Sequence, residues 1–267
     1  MPLVAGIDCG SGFTKAIVIS QNSAGPGADL MVLGKGQTRS GINVDHAAAK
    51  ALELALNDIP RSEVAYIAAT GFGRYGLSFR DIAITEITSA ARGAFYLCPD
   101  SHAVLDIGSQ TTRAIAVTNA GKVQTFKSND KCAAGSGMFI ARAAKYLEVP
   151  LEQVGDLSVK AAHPQPISSV CAVLAESEII NHVSCGVSVE DILRGIHDSL
   201  AERSGALLKR VGLGKRLTFI GGVAHQHGMI ESLRHKLGVE VEVPHDCEYV
   251  CALGAALLGL RRLAARN

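Results

Sequence analysis

The chain has 267 residues, 48% of them hydrophobic, with 26 Lys and Arg against 25 Asp and Glu, a net charge of +1 and seven cysteines. A chain this long suits one large or two modest domains and buries a sizeable core, while its balanced charge leaves no excess to hold a polyanion, so nucleic acid is not an expected partner. The longest nearly uncharged stretch near either end, 249–260, is shorter than the roughly 20 residues a membrane span needs, so no membrane is expected either.

The first apolar run, 3–7, stops at Asp8, too soon for an export leader. Cysteines at irregular spacing then read as reduced thiols in a cytoplasmic protein rather than a disulfide scaffold. The segment 8–17, Asp-Cys-Gly-Ser-Gly-Phe-Thr-Lys-Ala-Ile, leads into a second apolar run at 16–19, the pattern of a hairpin with a Gly-Ser turn. A strand near 29–34, a helix over 44–56, a strand at 64–69 and a helix over 81–96 follow, and the Pro-containing stretch 97–101 closes a first half.

The second half opens as the first did. Residues 106–115 read Asp-Ile-Gly-Ser-Gln-Thr-Thr-Arg-Ala-Ile, so Asp8, Gly10, Ser11, Thr14, Ala16 and Ile17 recur as Asp106, Gly108, Ser109, Thr112, Ala114 and Ile115, with Lys15 matched by Arg113. The strands are expected at 103–107 and 111–118, with a third at 122–126. A mostly helical stretch then runs to 211, and a strand at 217–220 enters Gly221-Gly222. A final helix over 248–265 carries Ala252, Ala255, Ala256 and Gly259 at three- and four-residue spacing, a stripe suited to close packing on the first half.

A repeat of this kind predicts two domains of one fold, 1–100 with the helix 248–267 and 101–247, holding a site between them. Glycines and small hydroxyl residues let backbone N–H groups converge on a phosphate without a Cβ in the way. Gly10, Ser11, Gly12, Thr14 and Lys15, with Gly108, Ser109 and Thr112, are therefore candidate phosphate binders. Asp8 and Asp106, at the strand ends, are placed to hold Mg²⁺ through water. Gly221 and Gly222 would let the backbone lie flat against an adenosine. Neither turn has the Walker spacing.

Two cysteines stand at expected helix starts, Cys132 before 138–147 and Cys171 before 172–183, positions that lower a thiol pKa and suit a metal-bound thiolate. Cys9, Cys98, Cys185, Cys247 and Cys251 read as core. Two thiolates are half of what a 4Fe-4S cluster needs, so a two-fold pair of chains would complete the set. Histidines 225, 227 and 235 read as solvated rather than as a shared metal site.

The motifs Asp8-Cys9-Gly10-Ser11, Thr70-Gly71-Phe72-Gly73-Arg74, Asp106-Ile107-Gly108-Ser109-Gln110, 129–137 (Asn-Asp-Lys-Cys-Ala-Ala-Gly-Ser-Gly), 171–178 (Cys-Ala-Val-Leu-Ala-Glu-Ser-Glu) and Gly221-Gly222-Val223-Ala224 occur in this order. Together they resemble the family of ATP-dependent activators of 2-hydroxyacyl-CoA dehydratases and ATP-binding subunits of benzoyl-CoA reductases, over nearly the whole chain. The resemblance implies an α/β actin-like ATPase with two duplicated ribonuclease H-like domains around a nucleotide cleft. It implies ATP and Mg²⁺ as ligands, with Asp8 and Asp106 near the metal and Gln110 orienting the attacking water. It further implies a 4Fe-4S cluster held by Cys132 and Cys171 of two subunits, reduced by ferredoxin or flavodoxin and serving an acyl-CoA reductase or dehydratase component.

Thr111 stands where dehydratase activators typically carry an acidic residue, and the run 167–176 with Gly195-Ile196-His197 looks closer to the small ATP-binding subunit of benzoyl-CoA reductase. The expected partner chain is a homologous subunit or a second copy. A homodimeric dehydratase activator is the alternative. Of other classes, a small-molecule kinase would need a base such as Asp81 or Asp130, and a non-catalytic scaffold would bind without turnover.

Overall fold

The computed structural model of the protein describes residues 2–21, 30–129, 136–168 and 172–266. Strand β1 (Leu3–Cys9) is buried along its whole length and has a sheet partner on both edges, antiparallel β2 (Phe13–Gln21) and parallel β4 (Val64–Thr70). Strand β3 (Leu30–Arg39) extends one edge, and the two-residue β5 (Ile82–Ala83) ends the other, giving the order β3-β2-β1-β4-β5.

β5 corrects the expected helix over 81–96. The Asp81 carboxylate accepts the Ile67 N–H at 2.7 Å, the Asp81 N–H donates to the Ile67 carbonyl, and the Ile84 N–H donates to that of Ala69. An aspartate that caps a sheet edge holds its backbone extended, so helix α2 (Glu86–Leu97) begins only afterwards.

Helix α1 (Val44–Leu56) lays its alanine and leucine face over one side of this sheet, with Ala48, Ala51, Leu52 and Ala55 in one core with Ala5, Ile7 and Val18. The last helix, α8 (Val250–Ala264), covers the other side with Ala252, Leu253, Ala256 and Leu257 against Val4, Ile17, Ile19 and Tyr66. Its small residues are required by contact distance: a Cβ on Gly254 would run into the Ser89 carbonyl of α2, and one on Gly6 into the Ala252 carbonyl. Met1–Leu97 with Glu248–Asn267 form one compact unit, and Cys98–Cys247 a second.

The second unit repeats the topology. Strands β6 (Ala103–Ile107), β7 (Thr112–Val117) and β8 (Val123–Asn129) form the meander, and β9 (Arg216–Ile220) runs parallel to β6 with β10 (Glu240–Glu242) beyond it. The order β10-β9-β6-β7-β8, read from β8, matches that of the first unit strand for strand. Helices α3 (Gly137–Tyr146), α4 (Val154–Val159), α5 (Ala172–Ser184), α6 (Val189–Val211) and α7 (His227–Leu237) supply its layers. Phe139, Ile192, Ile196, Leu200 and Phe219 lie among its fully buried residues. Among the described residues no helix is long and apolar enough to cross a membrane.

Candidate functional site

Both Gly-Ser turns sit at the tip of a hairpin, and the strand register brings a cation to each aspartate. Asp8 pairs with Lys15 across β1 and β2, and Asp106 with Arg113 across β6 and β7. Lys15 Nζ stands 3.7 Å from Asp8 Oδ2, and Arg113 Nη1 donates to Asp106 Oδ2 at 3.1 Å. The two carboxylates are buried, at 9% and 5% exposure, which is tolerable because each faces a cation.

The first turn is braced by a residue the sequence did not single out. Ser40, just past β3, donates its hydroxyl to the Gly10 carbonyl at 2.6 Å, lies 2.9 Å from Thr14 Oγ1 and donates its backbone N–H to the Gly12 carbonyl. Thr14 is therefore buried in the brace rather than presented at the tip, whereas Ser11 is exposed. Gly10 is needed for its own turn, since a Cβ there would lie 2.6 Å from the Phe13 carbonyl oxygen. No repeat announces Ser40, and it lies 30 residues from Gly10 in the chain, so local pattern could not reveal it.

The second turn is closed differently. The Gly108 N–H donates to the Thr111 carbonyl, and the turn's own carbonyls are taken up by helix α3: Gly137 N–H to Gly108 at 2.9 Å and Met138 N–H to Ser109 at 2.8 Å. Among the described residues a Cβ on Gly108 would meet only Thr111, its hydroxyl oxygen at 3.6 Å, an ordinary contact, so their packing gives no reason for glycine there. Ser109 is half-buried, Gln110 exposed and Thr112 buried.

Strand β9 delivers Gly221 and Gly222. Gly221 has φ +90°, its N–H donates to the Cys247 carbonyl, and a Cβ would lie 2.7 Å from Asp106 Oδ1. A Cβ on Gly222 would meet nothing within 4 Å among the described residues. Among the described residues Gly108 and Gly222 are thus open places where a side chain is missing without a packing cause, which suits a ligand lying against the backbone. Hard carboxylate oxygens at Asp8 and Asp106 match the donor chemistry of Mg²⁺.

Cys132, Asp130 and Cys171 lie outside the described residues. The helices that follow the two cysteines are described, and Glu176 of α5 accepts from Arg142 and from the Tyr146 hydroxyl of α3, each at 3.3 Å. Glu178 accepts the Ser168 N–H at 2.5 Å. Both glutamates of the second cysteine motif are therefore engaged with described residues of this unit, Glu176 tying α5 to α3 and Glu178 bonding Ser168.

Of the five cysteines read as core, Cys9, Cys98, Cys247 and Cys251 are buried, and Cys185 is exposed. Cys185 follows the last turn of α5, where its N–H still donates to Asn181, and the chain there turns outward through Gly186 at φ +74°. Burial, reinforced by the Asp8 and Asp45 charges, pushes the Cys9 thiol up to about 12; burial with Glu242 pushes Cys98 up to about 11. Neither is a nucleophile near neutral pH.

Histidines 225, 227 and 235 are all exposed, as expected of solvated side chains, though two of them have partners. His227 Nδ1 is 2.8 Å from Asp156, and His225 Nε2 is 3.7 Å from Cys247 Sγ. Asp81, one base offered for a kinase, spends a carboxylate oxygen on the Ile67 N–H.

Residues 5–259 match the family model described as the BadF/BadG/BcrA/BcrD ATPase family. The chain is 36% identical over 252 residues to the activator of lactoyl-CoA dehydratase from Anaerotignum propionicum, covering 94% of this chain and 95% of that one. It is 37% identical over 274 residues to a benzoyl-CoA reductase subunit from Thauera aromatica, covering 98% and 94%. The crystal structure of Acidaminococcus fermentans (R)-2-hydroxyglutaryl-CoA dehydratase component A superposes with a TM-score of 0.92 at 35% identity, over 99% of this chain and 100% of that one. The duplicated sheets and these likenesses make the fold the actin-like α/β fold, and the chain belongs to the BadF/BadG/BcrA/BcrD ATPase family.

Proposed function

We propose that this ATPase uses ATP hydrolysis to drive low-potential electrons from a ferredoxin or flavodoxin through a 4Fe-4S cluster to an acyl-CoA reductase of the benzoyl-CoA type. The observation that carries the coupling is the pair of backbone bonds from Gly137 and Met138 to Gly108 and Ser109. They seat the helix that follows Cys132 on the second glycine turn. A nucleotide that moves this turn moves the start of α3 with it, a differential interaction between two states.

In this reading the amides of the two turns, with Lys15, bind and orient the phosphates. Gly221 and Gly222 receive the adenosine, and Gln110, exposed at the second turn, positions the attacking water. Asp8 and Asp106 hold the hydration shell of Mg²⁺, which when bound neutralises phosphate charge. Cys132 and Cys171 each contribute one thiolate, so two chains across a two-fold axis complete the four ligands of a one-electron carrier.

The reductase lean rests on Thr111, where the dehydratase activators resembled by this sequence typically carry an acidic residue. The second reading, a homodimeric activator of a 2-hydroxyacyl-CoA dehydratase, is favoured by a 36% identity to such an activator, nearly the value for the reductase subunit.

The test is purification without oxygen from the native cell, with iron, sulfide and ATP turnover measured and co-purifying chains identified by mass. Iron and sulfide that disappear in Cys132→Ser and in Cys171→Ser, with Mg²⁺-dependent turnover, are expected. A colourless, iron-free protein that still hydrolyses ATP would sink the electron-delivery reading. Association with a different chain of the same family supports the reductase type, and a homodimer beside a dehydratase component supports the activator.

A further inference from the structure

The strand beside β1 ends at Thr70, and the next residue turns back beneath Asp8. Gly71 has φ +89°, a conformation side chains rarely adopt, and a Cβ there would lie 2.5 Å from Asp8 Oδ1 and 2.6 Å from Cys9 N and C. Gly73 donates its N–H to the Cys9 carbonyl at 2.9 Å. Arg74 locks the loop from the other side: its guanidinium donates to the Gly71 carbonyl at 2.9 Å and to Glu86 Oε2 at 2.7 Å. Both partners of that ion pair are largely buried, at 17% and 16% exposure, and Glu86 opens helix α2.

The second unit repeats the glycine of this device. Gly221 follows the strand parallel to β6, takes φ +90° and lies against Asp106 as Gly71 lies against Asp8. Of the two pentapeptides, Thr70-Gly71-Phe72-Gly73-Arg74 and Ile220-Gly221-Gly222-Val223-Ala224, only the one glycine is shared in register. Two loops of different sequence thus each place a glycine of positive φ against the aspartate of the neighbouring strand.

We propose that the Gly71–Arg74 loop is a positioning element that fixes the direction of the Asp8 carboxylate toward Mg²⁺, with the Arg74–Glu86 pair as its anchor. The Gly71 backbone bounds the carboxylate on one side and Lys15 on another, so Asp8 meets an incoming hydrated cation already oriented. Arg74 and Glu86 touch neither nucleotide nor metal in this scheme. They act through Gly71.

This inference rests on the proposed binding of Mg²⁺ and ATP at the Asp8 turn, and the experiment separates the two. Binding of a fluorescent non-hydrolysable ATP analogue is measured with Mg²⁺ and with EDTA, and the ratio of the two affinities is the readout. Wild type is expected to bind more tightly with Mg²⁺. Gly71→Ala and Arg74→Met are expected to lower that ratio by about tenfold, as losses of outer-shell support do, while affinity in EDTA holds. Arg74→Lys, which keeps a donor for the Gly71 carbonyl, recovers part of it.

A general loss of packing would lower both affinities together and leave the ratio alone, and that result overturns the proposal. So does a wild-type ratio in either folded variant. If Gly71→Ala does not fold, as a melting curve will show, Arg74→Met decides by the same criterion. Wild type that binds no analogue in either buffer sinks the nucleotide reading and this inference with it, whereas wild type that binds, with unmoved variants, sinks this inference alone.

Discussion

Gly137 donates its backbone N–H to the carbonyl of Gly108 at 2.9 Å, so the first turn of α3 is suspended from the second glycine turn. A Cβ on Gly137 would stand 2.9 Å from Val223 Cγ2 and 3.1 Å from the Gly108 oxygen, so alanine must displace the Val223 methyl or shift the helix start by a few tenths of an ångström. Gly137→Ala is expected to cost about 1–3 kcal/mol, as overpacking does. It should retain ATP binding yet lose most of the ATP-dependent change in the rate at which a chelator strips iron. Equal ATP response in variant and wild type would show that this contact is not the coupling route.

Gly108 and Gly222 allow a cleaner separation of folding from binding. Alanine fits at both without displacing a protein atom among the described residues, so stability should stay within about 0.5 kcal/mol. If a ligand lies against these backbones, the added methyl groups weaken ATP by about tenfold or more, close to ~1.4 kcal/mol each. Titration of nucleotide into Gly108→Ala and Gly222→Ala, with thermal melts alongside, checks both halves. Wild-type affinity in both variants would remove these turns from the nucleotide site.

Ser40 is the brace of the first turn and lies outside the repeated segment 8–17. Ser40→Ala removes the hydroxyl that bonds the Gly10 carbonyl and leaves Thr14 Oγ1, in a buried residue, without that partner. The expected cost is about 1–3 kcal/mol in chemical denaturation, with a weaker grip on ATP because the turn loosens. Ser40→Thr, which restores the oxygen, should recover most of the stability.

His197 makes stability depend on pH. It is fully buried in α6, its Nδ1 lies 2.8 Å from Ser158 Oγ, and its Nε2 has no hydrogen-bond partner among the described residues. Burial, aided by the nearby Arg194 charge, lowers its pKa to about 4. The unfolded chain, with an imidazole pKa near ~6.5, takes up a proton that the folded chain refuses, so this contribution is complete above about pH 6.5 and is lost as the pH falls toward 4. The slope is at most about 1.4 kcal/mol per pH unit. Denaturation from about pH 7 to about pH 4.5 should show a shallower loss in His197→Gln than in wild type, and parallel curves would exclude the histidine as its source.

The sequence alone determined what short-range pattern encodes. The recurrence of Asp, Gly, Ser and Thr between 8–17 and 106–115 announced two hairpins of one kind, and alternating or helical apolar spacing located α1, β4 and α8 to within a few residues. Where a nonlocal bond competed with local propensity, as at Asp81 on the edge of β4, the pattern misled, because a helix signal does not register a carboxylate spent on a neighbouring strand. Only the tertiary structure decided that Ser40 holds the Gly10 turn, that Gly137 hangs from Gly108, and that Gly71 and Gly221 press on Asp8 and Asp106. These contacts join residues distant in the chain through single backbone groups, and a backbone N–H or a missing Cβ leaves no mark in residue type that distinguishes a seat from a simple turn.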